Sequence, residues 1–92
     1  MPTLLTPLSH HLPHRPSWAC QHCDRLWPCP TEKGRLAVEF AGHPVLLIYY
    51  MSAQLVECTR DLAEEGEVPA AATLYPRFIS WVRRATMTAR AA

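Results

Sequence analysis

The sequence predicts an all-α fold: a small helical domain of two long helices plus a short one, with an N-terminal zinc-binding loop packed on them. Three observations predict it. A run from Pro44 to Glu65 places Ile48, Met51, Leu55, Cys58 and Leu62 at alternating spacings of three and four, the period of one helix face. A second such run, Leu74, Phe78, Trp81, Val82 and Ala85, lies near the C-terminus. The segment "HRPSWACQHCDRLWPCP", residues 14–30, has no apolar period but holds three of the four cysteines, three prolines and two of the three tryptophans. No strand-like alternation of useful length occurs.

Composition bounds the rest. At 92 residues one domain is expected. A chain of this size buries only about 60–65% of the surface its unfolded form exposes, so a metal staple would help its small core. Hydrophobic residues make up 49% and charged residues 18%, ordinary values for a globular protein. The net charge of +1 argues against strong global attraction to nucleic acid or to a membrane surface. No apolar run approaches the roughly 18–20 residues needed to span a bilayer. The start "MPTLLTPLSHHLPHRP" lacks the basic and apolar regions of a secretory signal. A cytoplasmic protein is expected, in which thiols stay reduced and clustered cysteines serve as metal ligands.

Residues 1–13, broken by Pro2, Pro7 and Pro13, read as a flexible N-terminal segment, and residues 14–92 as the zinc-stapled helical domain. "TEKGRLAVEFAG" reads as the short helix, with Thr31 as N-cap, Glu32 in the first turn and Gly42 closing it. Pro44 suits the first position of the central helix and Gly66 its C-terminal stop. Val45, Leu46, Leu47, Tyr49 and Tyr50 make its first half apolar on nearly every side, which predicts cover by neighbours. Pro76 fits only a first helical turn, so the last helix is expected to begin near Leu74 or Tyr75.

The cysteine segment carries the chemistry. A C-x2-C turn, Cys20 and Cys23, points two thiolates at one tetrahedral ion. Cys29 supplies a third, and His14, separated from Cys20 by five residues, is the expected fourth ligand. His10, His11 and His22 compete with it, as does Cys58, which otherwise reads as an inert thiol in the central seam. Trp18 and Trp27 are placed to cover the site. Four protein ligands leave no open position, so the site reads as structural.

With "LAVEFAGHPVLLIYYMSAQLVE" and "LYPRFISWVRR", this block resembles a group of short actinobacterial proteins of unassigned function that share His-x5-Cys-x2-Cys-x5-Cys and Trp-Pro before the last cysteine. Some members are labelled flavin reductases. This chain has no Gly-rich phosphate loop, so that activity is not expected. The cysteine spacing alone also resembles the WhiB-like iron–sulfur regulators, which implies an iron–sulfur cluster as the alternative to zinc. Their upstream cysteine and glycine-rich turn are missing, so Cys58 would have to complete such a cluster.

The function expected is non-catalytic: a protein-interaction module, accessory or regulatory, that binds a protein partner or itself. Residues 57–67 carry five acids against Arg60, whereas residues 68–92 carry four arginines and no acid, a polarity suited to a partner surface or to pairing within the fold. Nucleic-acid binding is the alternative; the pI of about 7.8 and the sparse arginines do not favour it.

Overall fold

The computed structural model describes residues 10–91. Of the expected flexible segment, residues 1–9 lie outside the described residues, and residues 10–13 belong to the folded loop. Seven elements follow in order: strands β1 (Pro13–His14) and β2 (Ala19–Cys20), helices α1 (Pro30–Glu39), α2 (Pro44–Glu64) and α3 (Ala71–Tyr75), a π-helical segment (Pro76–Ser80), and α4 (Val82–Ala91). The molecule is mostly helical, but the two short antiparallel strands correct the strict all-α expectation.

α1 begins one residue before the expected cap. Cys29 is its N-cap residue, without a capping side-chain bond, and Pro30 holds the first turn. A proline there loses nothing, since that N–H has no partner inside the helix. Arg35 reaches both ways along α1, to Glu32 at 2.9 Å and to Glu39 at 2.8 Å.

α2 matches its expected span to within a residue. Its C-terminus closes through Gly66 at φ +82°, with Gly66 N–H donating to the Ala63 carbonyl and Glu67 N–H to that of Leu62. Glycine takes this left-handed position at no cost, whereas a Cβ would add local backbone strain. The buried stripe, however, is Leu47, Met51, Cys58 and Asp61. Ile48, Leu55 and Leu62 of the expected seam flank it, half-buried. The first half of the helix is covered on one side only: Val45, Leu46 and Tyr49 stay exposed.

The last helical run, α3 through the π segment to α4, begins at Ala71, earlier than the expected Leu74 or Tyr75. Pro76 therefore falls after the first turn. Its ring would press on the carbonyl four residues back in an α-helix, and here the chain passes it in a wider π turn. The wide turn ends in α4 with Phe78, Ile79 and Val82 facing inward. α2 packs on the π segment and α4, and α1 packs on α4.

The core has an aromatic centre. Phe78 is fully buried, with ring centroids 5.9 Å from Trp18 and 6.2 Å from Trp27, and the two indoles stand 5.8 Å apart. The tryptophans of the cysteine loop are thus core residues that fasten the loop to the helices. Leu36, Leu47, Met51 and Val82 complete this core, each fully buried and contributing about 1.5–3 kcal/mol by removal from water.

Candidate metal centre

The site is built by a short hairpin and the turn after it. β1 pairs with β2 in the register Pro13 opposite Cys20 and His14 opposite Ala19. The chain before β1 keeps this alignment, as Gln21 N–H donates to the Leu12 carbonyl at 2.8 Å. After β2 the C-x2-C turn closes on itself: Asp24 N–H donates to the Cys20 carbonyl at 2.9 Å and Cys20 N–H to that of Arg25 at 2.6 Å. Asp24 sits at φ 64°, a left-handed conformation that aspartate tolerates better than most residues. The chain then runs through an isolated bridge between Ala19 and Leu26 to Cys29 at the start of α1.

Together these elements bring His11, Cys20, Cys23 and Cys29 to one point. Their four ligand atoms all lie within 4.8 Å of one another. His11 Nδ1 is 3.2 Å from the sulfurs of both Cys20 and Cys29. A tetrahedral ion with metal–sulfur bonds of about 2.3 Å sets its donors about 3.8 Å apart, so the group is compatible with one bound metal. None of its cysteines is in a disulfide. Cys20 and Cys29 are buried and Cys23 is half-buried.

The thiols feel one another. Burial acts to raise the Cys20 pKa, yet backbone N–H groups of Cys23 and His22, with the Cys23 thiol and the His11 ring, bring it below the ordinary thiol value. Burial pushes Cys29 up; the Glu32 N–H opposes this and the neighbouring Cys23 and Cys20 reinforce it. Crowding three thiols disfavours the last negative charge, and a bound dication would relieve that penalty while displacing the protons.

The three expected cysteines are thus brought together, but His14 is not with them. The hairpin register explains it. Residues directly opposite in an antiparallel pair share a face, and successive residues alternate. Cys20 lies opposite Pro13, so His14 falls on the other face, exposed, while His11, two residues before Pro13, returns to the face of Cys20. Trp27 Nε1 fixes His11 by donating to its carbonyl at 2.8 Å. The only sequence signal for His11 was its place among the competing histidines. His22 packs edge-on against the His11 ring at 4.7 Å, and His10 is exposed. Cys58 is fully buried on α2, outside the group of four, and burial raises its pKa.

Two clamps tie the loop to the helices. From α2, Asp61 accepts from Trp18 Nε1 at 2.7 Å and from Arg15 Nε and Nη2 at 2.7 and 2.9 Å. The Arg15 and Trp18 hydrogen bonds hold its carboxyl down to about 2. From the π segment, Arg77 donates to the carbonyls of Trp27 and Trp18 at 2.8 and 2.9 Å. The acids of α2 that pair across the fold, Glu57 and Asp61, therefore meet Arg15 rather than the C-terminal arginines.

No helix among the described residues is long and apolar enough to cross a membrane. No family model, curated protein or solved structure matches the chain.

Proposed function

We infer that this chain is a zinc-stapled helical module whose role is to bind another protein rather than to catalyse a reaction, in a cytoplasmic setting that keeps its thiols reduced. The observation that carries the reading is the closed donor set: three thiols and an imidazole, all from the protein, within 4.8 Å of one another. Three cysteines with one histidine is a typical structural zinc set, and soft thiolates favour zinc over the hard cations. With four protein donors, no coordination position is left for a substrate. The close spacing also favours one ion over a cubane cluster, which seats its ligands on separate irons and so spreads them wider. Exposed apolar residues of the helices, among them Val38, Val45, Tyr49 and Met87, support a partner surface.

The test is elemental analysis of protein purified anaerobically. One zinc per chain, lost on Cys20→Ser, supports the reading. Iron with acid-labile sulfide would replace it by the cluster alternative. Oxidation of NADH in the presence of FMN, abolished by Cys29→Ser, would overturn its non-catalytic part.

A further inference from the structure

We propose that the groove between α1 and α4 is the partner site of this module, and that its occupant is an acidic amphipathic helix from another protein. The proposal rests on the interaction-module reading and adds where the partner binds and what chemistry it presents. The groove has a volume of about 1070 Å³ and opens broadly to solvent. Ala37, Trp81 and Ala85 line it, with the exposed side chains of Val38 and Met87 beside them. Trp81 is already held there: its Nε1 donates to the Arg77 carbonyl at 3.1 Å, and Lys33 Nζ lies 5.6 Å from its ring centroid. An aromatic ring fixed beside small residues and flanked by exposed apolar side chains is a ready anchor pocket.

Both walls are helices, whose backbone groups are satisfied within each helix. A strand could not add to them, so the occupant must bind through side chains. Apolar residues three and four apart on a helix suit such a groove. Charge decides the flanks. Arg83 and Arg84 also line the groove, are exposed, and make no ion pair among the described residues. Residues 68–92 contain no acid. A second copy seated groove to groove would set these arginines against their own kind. A nucleic acid would meet an apolar floor with few cations. An acidic helix satisfies both the floor and the arginines.

The test pans a phage-displayed peptide library on the 92-residue, zinc-loaded chain and maps the enriched peptides by amide and indole NMR shifts. The expected peptides are net acidic, carry apolar residues at i and i+3 or i+4, and shift Val38, Ala85, Met87 and the Trp81 indole. Met87→Glu and the double variant Arg83→Glu/Arg84→Glu should each weaken them about tenfold or more. These positions are exposed, and unchanged melting of the variants would show that folding is intact. Basic or neutral consensus peptides, or affinity indifferent to the arginine reversal, would overturn the proposal. So would tighter binding of duplex DNA or anionic phosphatidylglycerol vesicles in the same groove. Peptides that instead shift Val45 and Tyr49 on α2 would overturn the groove and leave the interaction module standing; enrichment of no peptide at all would overturn both.

Discussion

Phe78 is where the cysteine loop meets the helices, and replacing it by leucine gives the sharpest test of that coupling. The ring is fully buried and pairs with both Trp18 and Trp27. Leucine keeps most of the apolar burial but loses two aromatic pairs, each worth about 0.5–1.5 kcal/mol beyond area, and leaves a small void. The two pairs alone come to about 1–3 kcal/mol, and the void adds to that. At about 4–8 °C per kcal/mol for a domain of this size, melting should fall by roughly 10 °C. Phe78→Ala would lose about 3–5 kcal/mol, a large share of the stability of any small domain, so leucine is the better probe. The assay is thermal melting by circular dichroism, with zinc and after chelation. Chelation should loosen residues 11–29, because the four candidate ligands join separate stretches of that loop and their thiols would then be left crowded and unpaired. The tryptophans then no longer pack on position 78, and the leucine penalty should shrink by about 1–3 kcal/mol, the share of the two aromatic pairs. An equal penalty with and without metal would refute the claim that the bound metal holds the two tryptophans against Phe78.

Three further outcomes are expected. Cys20→Ser and His11→Ala should both lower metal content in elemental analysis, whereas His14→Ala, on the opposite face of the hairpin, should leave it unchanged; metal loss in the His14 variant alone would mean the register is wrong. Asp61 has a depressed carboxyl pKa, so its contribution to stability is complete above the ordinary carboxylate value near 4 and fades as pH falls towards about 2. The melting gap between wild type and Asp61→Asn, taken at each pH so that metal loss common to both cancels, should close over that window, and a gap independent of pH would refute the assignment. Gly66→Ala meets no neighbouring atom but must adopt φ +82°, so it should cost about 1–2 kcal/mol in denaturant unfolding, and a neutral result would show that the helix ends differently.

Much of this protein is legible in its sequence because local physics decides it. Pro44 and Gly66 mark the ends of α2, since a proline can open a helix and a glycine can close one whatever surrounds them. Cys20, Cys23 and Cys29 lie near one another along the chain, and a two-residue turn suffices to point the first two at one ion. The buried stripe of α2 was legible in part: period alone cannot tell which side of an apolar helix meets the π segment, and it gave no hint that Asp61 would be buried by clamps from Arg15 and Trp18. Pro76 has a local meaning too, but only packing of Phe78, Ile79 and Val82 decides that the chain passes it in a wide turn rather than starting a helix there. The fourth ligand needed the tertiary structure most. Four histidines were available by proximity, and a hairpin of two-residue strands, too short to show any alternation in the sequence, set the register that turned His14 away and brought His11 to the three sulfurs.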